Sequence, residues 1–212
     1  MEKYKIRTDL SKVVNDVTLY RIEALADFKH AKKGELGGYV QNEKNLSQFG
    51  DSWVFGKAKV FDNAKVCGDA EVSGDARVFG DARVFGKAKV FDNAKVSGDA
   101  KVSDNAEVSG DARVFGDAWV CDNAEVSGDA WVCGNAKVSG NADYFVSKNI
   151  WSSGRSFTYT RSNRKWRVGC FYGTSEELIK KANKDSEVSG REYKRIVEYV
   201  EAMYAALEND KK

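Results

Sequence analysis

Residues 88–120 read AKVFDN AKVSGD AKVSDN AEVSGD ARVFGD AWV, a six-residue unit repeated without a slip. The same frame runs outward in both directions. Val fills every sixth position from Val54 to Val138 and Ala every sixth position from Ala58 to Ala142, fifteen times each. One unit is Ala-x-Val-x, then Gly or Asp, then Asp, Asn or Lys. A fixed short period decides the architecture before local propensity is consulted.

In Ala-x-Val the outer residues share one face of a strand and the middle residue points away. The Gly, Asp, Asn or Lys pair suits a tight bend, and Gly and Asn tolerate positive φ. Each unit is then a short straight side and a corner. Three such sides close a triangle, so one coil takes three units, and coils stack as parallel strands ~4.8 Å apart. Residues 52–143 predict about five coils, a prism roughly 25 Å tall, with Val and Ala inside.

This pattern resembles the hexapeptide-repeat, left-handed parallel β-helix family. The resemblance implies the left hand, against the usual right-handed crossover, and association into homotrimers or other homo-oligomers through flat sides. The run Gly34 to Val60, GELGGYVQNEKNLSQFGDSWVFGKAKV, is similar to the segment leading into the repeat of YdcK-like proteins of bacteria and their prophages. The tail run Val168-Gly-Cys-Phe-Tyr-Gly-Thr-Ser-Glu-Glu-Leu178 resembles the C-terminal segment of phage and prophage hexapeptide-repeat proteins. These resemblances imply a mobile-element setting and carry no chemistry onto particular residues.

The domain organisation expected is an N-terminal β cap (1–45), the β-helix (46–144) and a C-terminal cap of a hairpin and two helices (145–212). In the N-terminal cap, Lys3–Arg7 and Val17–Ile22 read as strands joined at Val14-Asn15-Asp16. A solenoid needs such a cover on its first coil. In the tail, Phe157–Arg161 and Trp166–Phe171 read as strands around the turn Ser162–Lys165. Thr174 to Glu177 and Ser189 to Glu192 each have capping-box spacing. Tyr193, Ile196, Val197, Val200, Met203, Tyr204 and Leu207 form one apolar stripe on the second helix.

Net charge is only +2, so no global field calls for nucleic acid. Residues 52–143 carry 11 Lys and Arg against 15 Asp and Glu, so they hold −4 and the flanks +6. There is no run of 18 apolar residues and no signal-peptide core. The four cysteines, Cys67, Cys121, Cys133 and Cys170, form no Cys-x-x-Cys pair and include no stacked neighbours. The expectation is a reduced, cytoplasmic protein without membrane, metal or cofactor.

Stepping along the outward residue of Ala-x-Val by coil gives three ladders: Trp53, Glu71, Lys89, Glu107, Glu125, Asp143; Lys59, Arg77, Lys95, Arg113, Trp131; and Lys65, Arg83, Lys101, Trp119, Lys137. Like charges on paired strands repel, and the corner aspartates two positions earlier are expected to neutralise them. The slot after Val holds Phe at 55, 61, 79, 85, 91 and 115. These form either an exposed apolar patch or aromatic ladders tucked across the corners.

Two places invite a partner. One is the cation ladders that end on Trp, with Arg113, Trp119 and Trp131 as candidates. The other is the hairpin, where Arg155, Arg161, Arg164, Lys165 and Arg167 interleave with aromatics including Trp166. An enzyme is not expected. The single histidine, His30, excludes a three-His zinc site, and it precedes the coils among Lys29, Lys32 and Lys33 as if in a solvated loop. The unbroken period leaves no loop to wall an acceptor pocket, and Cys170 has no evident His partner. The reading is a non-catalytic phage or prophage protein that binds a host protein or nucleoprotein complex, as an inhibitor of a bacterial defence complex. The alternatives are an acyltransferase relative using coenzyme A and a nucleic-acid-binding or structural protein.

Overall fold

A computed structural model describes residues 2–209. It divides into two compact units, 1–141 and 142–212. The first is a parallel β-solenoid of about six turns. Fifteen two-residue strands, β4 (Trp53–Val54) through β18 (Lys137–Val138), recur every six residues and pair with the strand three further on. Three parallel sheets result, ordered β4-β7-β10-β13-β16, β5-β8-β11-β14-β17 and β6-β9-β12-β15-β18. Every repeat Val and every Ala from Ala58 to Ala136 is buried.

The turn beyond the five expected precedes the regular repeat. Strands β1 (Tyr4–Val14), β2 (Val17–Ala24) and β3 (Leu36–Val40) extend one side of the prism, with β3 pairing in parallel with β5. Leu46 bridges to Val66 on the next side. The spacing from Leu46 to Val54 is eight residues instead of six, which hides this coil from a strict period. Asn45 completes it by donating its side-chain amide to the carbonyls of Asp62 and Ala64 at 3.0 and 2.9 Å. Gln48 accepts from the Lys3 N–H at 2.9 Å and donates to the Tyr4 carbonyl at 3.1 Å. The Asn-Leu-Ser-Gln run is thus a clasp between cap and coil. Gly37 and Gly38 permit the close approach: a Cβ on Gly38 would lie 2.6 Å from Val54 Cγ1. The β1–β2 turn is Asn15-Asp16, both at positive φ, as two-residue hairpins require.

The corners add a third residue type to the Gly and Asn that tolerate positive φ. In each Asp-Asn corner the left-handed residue is Asp, not Asn: Asp62, Asp92, Asp104 and Asp122 have φ of 57–60°. The short acidic side chain tolerates this region and is useful there. Asp62 accepts from the Gly80 N–H of the next coil and Asp92 from that of Gly110, both at 3.1 Å. The Phe slot forms no exposed patch. Phe61 is buried and stacks on Phe79 at 5.1 Å between centroids, and Phe55, Phe85, Phe91 and Phe115 are half-buried.

The second unit is a meander of β19 (Tyr144–Lys148), β20 (Ser156–Thr160), β21 (Lys165–Val168) and β22 (Phe171–Gly173), with helices α1 (Ser175–Asp185) and α2 (Glu187–Asn209). Strand β19 escapes the sequence reading, and the expected 166–171 strand is broken at Gly169, where φ is positive. Thr174 and Glu177 form the expected capping box. Ser189 does not cap: α2 begins two residues earlier, and the Ser189 N–H donates to Ser186 Oγ at 3.0 Å. The apolar stripe of α2 meets Phe157, Tyr159, Trp166 and Leu178 in one core, except Leu207, which is exposed.

Candidate functional site

Because side chains alternate, each side of the solenoid presents two outward columns: the residue between Ala and Val, and the residue just before Ala. The columns lie ~6.6 Å apart, two residues at ~3.3 Å, and rungs repeat every ~4.8 Å. On the first side, Trp53, Glu71, Lys89, Glu107 and Glu125 run beside Asp51, Asp69, Lys87, Asn105 and Asn123, a net of −3. On the second, Lys59, Arg77, Lys95, Arg113 and Trp131 run beside Lys57, Asp75, Asn93, Asp111 and Asp129, a net of +2. On the third, Lys65, Arg83, Lys101, Trp119 and Lys137 run beside Asn63, Asp81, Asp99, Asp117 and Asn135, a net of +1.

One corner aspartate makes contact, though across a rung and not with the cation two positions on: Asp75 lies 3.7 Å from Lys59 Nζ. Among the described residues Arg77, Lys95 and Arg113 have no carboxylate within 4.0 Å, and neither do Lys65, Arg83 and Lys101. A charge there remains hydrated in the free protein and is open to an outside counter-charge.

The basic side has an organised end and an open stretch. At its N-terminal end Lys59 is buried and donates to the Lys57 carbonyl at 2.8 Å, while Lys12 Nζ lies 3.7 Å from the Tyr39 ring centroid. Further along, Arg77, Lys95 and Arg113 line a groove of about 340 Å³ with Asp75, Asn93 and Asp111. Burial, then the neighbouring cations Arg113 and Arg77, hold the Lys95 ammonium below the ordinary lysine range. The Arg113 guanidinium lies 4.5 Å from the Trp131 centroid, and Phe115 meets that indole edge-on. Candidates Arg113 and Trp131 therefore form one cation–π pair that closes the column. Trp119 belongs to the third side. It is 38% exposed, donates its indole N–H to Ser103 Oγ at 2.9 Å, and carries Lys137 Nζ 4.9 Å from its centroid.

The hairpin candidates are dispersed. Trp166 is a core residue, wholly buried against Phe157 and Tyr159, with its N–H donated to Ser175 Oγ at 3.0 Å. It is withdrawn as a partner contact. Strand alternation is the cause, since Trp166 faces the helices while Lys165 and Arg167 take the opposite face. Arg161 lies 3.4 Å from Glu208 and 5.6 Å from the Tyr204 centroid. With the exposed Arg164 it lines a groove of about 550 Å³ that also holds Glu176, Glu201 and Glu208. Arg155 is exposed beside Gly169. The five cations do not form one basic patch.

His30 does not lie in a solvated loop. Its side chain is 11% exposed, meets Phe55 edge-on at 5.9 Å, and places Nε2 3.8 Å from Glu71. No signal in the Lys-rich flanks marks this packing; it follows from the Phe28–Ala31 bridge that folds the segment onto the first sheet. Among the described residues no three His, Cys, Asp or Glu side chains are grouped to hold a metal ion. No disulfide joins the four cysteines, of which Cys121 and Cys133 are buried. No helix among the described residues is long and apolar enough to cross a membrane.

A search of curated proteins finds no significant match to the chain. A family model described as "YdcK Beta solenoid repeat" matches residues 106–122, close to one coil of the prism. Together with the parallel solenoid, that match supports a YdcK-like repeat protein.

Proposed function

We propose that this is a non-catalytic binding protein whose rigid solenoid presents its basic side to an acidic surface of a host protein or nucleoprotein complex. One observation carries the reading. Arg77, Lys95 and Arg113 stand on successive rungs with no carboxylate in contact among the described residues, and the column ends on the Arg113–Trp131 pair. Stacked cations repel one another, and Arg77 and Arg113 add to the burial that chiefly lowers the Lys95 ammonium. An anionic partner relieves the repulsion, and the hydrogen-bonded β-scaffold leaves only the side chains to be ordered on binding. The packed ring of His30, the single histidine, supports the non-catalytic reading, as does the unbroken repeat. The finer reading is a left-handed solenoid of a phage or prophage that blocks a bacterial defence complex in the cytoplasm. It rests on the resemblance of the 34–60 and 168–178 segments.

The test is capture from nuclease-treated bacterial lysate with tagged wild type and with the double variant Arg77→Glu, Arg113→Glu. A stoichiometric host complex held by wild type and lost by the variant supports the reading. Equal recovery by both removes the basic side from it. Capture from a parallel untreated lysate that is absent from the nuclease-treated one transfers the same surface to nucleic acid, and the affinity must then fall steeply with salt.

A further inference from the structure

The third side of the prism carries a different message from the second. Its two columns are segregated by sign. Asp81, Asp99 and Asp117 stand in one, and Lys65, Arg83 and Lys101 in the other, with no cation in the first and no carboxylate in the second. Asp81, Asp99, Arg83 and Lys101 are all exposed and line one groove of about 680 Å³. Each column repels itself along the stack, and among the described residues no ion pair within 4.0 Å joins one column to the other.

A surface with a positive stripe and a parallel negative stripe is self-complementary under one symmetry operation. We infer that two copies of this chain associate through the third side about a two-fold axis parallel to the solenoid axis. That axis, lying between the columns, carries the positive stripe of one copy onto the negative stripe of the other. It keeps each rung at its own height, so the common ~4.8 Å repeat holds every rung in register. Arg83 then meets Asp81 of the second copy, Lys101 meets Asp99, and each pair occurs twice, as an isologous interface demands. A two-fold axis perpendicular to the solenoid axis would set like stripes against each other and is excluded by charge. The second side does not self-pair in this way. Lys57 and Lys59 share a rung there, and Asp75 is engaged by Lys59. The two sides thus have separate roles, one for self-association and one for the anionic partner.

The patch is about five rungs or ~24 Å tall, at the small end of specific interfaces. The dimer is therefore reversible and sensitive to salt, which shortens the screening length from ~10 Å at 0.1 M to ~3 Å at 1 M. Sedimentation equilibrium of the full chain in a dilution series tests this. Wild type must give a monomer–dimer equilibrium at low salt that weakens at least tenfold at high salt. The acid-shifted variant, Arg83→Asp with Lys101→Asp, and the base-shifted variant, Asp81→Lys with Asp99→Lys, must each be monomeric alone. Mixed, they must form a one-to-one dimer. A variant that exchanges the columns, Asp81→Arg, Arg83→Asp, Asp99→Lys and Lys101→Asp, must dimerise like wild type, which separates the charge pattern from any loss of folding. A wild type that stays monomeric at low salt overturns the inference. So does a trimer, or variants that fail to recombine on mixing. None of these changes touches Arg77, Lys95 or Arg113, so the outcome is independent of partner binding.

Discussion

The solenoid and the C-terminal unit solve the same problem with opposite interiors. The solenoid is filled by Val and Ala, one of each per side, repeated down the stack and all buried. The C-terminal unit is filled by a few large aromatic residues, Phe157, Tyr159, Trp166, Tyr193 and Tyr204, each touching several of the others. In the first, no residue is special and the backbone ladder between coils sets the geometry. In the second, shape fit among a handful of rings holds four strands to two helices. Stability is spread thinly over the solenoid and concentrated in the C-terminal unit.

Truncating one side chain in each interior tests that contrast most sharply. Trp166→Ala removes the largest member of the aromatic core, a change of about 3–5 kcal/mol, enough to unfold a unit of this size. Val96→Ala removes the equivalent of two methylene groups, roughly 1.6 kcal/mol at ~0.8 kcal/mol each before any cavity cost. Near-UV circular dichroism and amide hydrogen exchange should show the C-terminal amides exchanging freely in the tryptophan variant while the solenoid rungs stay protected. In the valine variant, protection should fall only modestly and only around its rung. Equal losses in both units from either change would show that the two interiors are not independent.

A smaller effect separates the two constraints on a solenoid corner. Gly56 and Gly74 both have positive φ, 53° and 66°. A Cβ on Gly74 would lie 2.8 Å from the backbone N and O of Asp92 on the next coil, whereas one on Gly56 would meet nothing within 4 Å. Gly56→Ala carries only the left-handed conformational cost, about 1–2 kcal/mol, and Gly74→Ala carries that plus a backbone shift between coils. Chemical denaturation should therefore place Gly74→Ala clearly below Gly56→Ala. Equal midpoints would mean that stacking tolerates the methyl and that conformation alone selects glycine.

Much of this was legible in the sequence, for reasons tied to period. A strict repeat defines inside and outside for fifteen strands at once, so the ladders from Lys59 to Trp131 and from Lys65 to Lys137 could be written down and match the strand register. The extra first coil was not legible, because Leu46 stands eight residues from Val54 and a side-chain amide, Asn45, replaces part of the ladder. The left-handed aspartates were not legible either, since the contact they make at that corner position is a hydrogen bond from an N–H 18 positions away. In the hairpin, residue types suggested one basic patch. Alternation along β21 sends Trp166 inward, away from its neighbours Lys165 and Arg167. Which cations lack a carboxylate in contact is a matter of side-chain placement within a few ångström, and no spacing rule reports it.

The smallest predicted effect is a pH response that runs in opposite directions at the two ends of the chain. In the N-terminal cap, burial pulls the Lys3 ammonium down to about 8, although it donates to the Ser52 carbonyl at 2.8 Å. The fold favours the neutral amine. Its contribution is fully present above the ordinary lysine value of 10.5 and is lost as pH falls through about 8. Raising pH from 8 toward 10 should therefore tighten the cap. In the C-terminal unit, burial raises the phenols of Tyr159 and Tyr193 and pushes that of Tyr204 up to about 12. Their contribution is fully present below the ordinary tyrosine value of 10.0 and is lost as pH rises through about 12. With 5-fluorotryptophan incorporated, the fluorine signals of Trp53 and Trp166 report the two regions separately. On warming at stepped pH, the Trp53 signal should survive to higher temperature at pH 10 than at pH 8. The Trp166 signal should weaken only above pH 10. Lys3→Met should abolish the first change and Tyr204→Phe should move the second to higher pH. Signals that fade together in one step would mean that a single transition, not two local ones, governs the alkaline response.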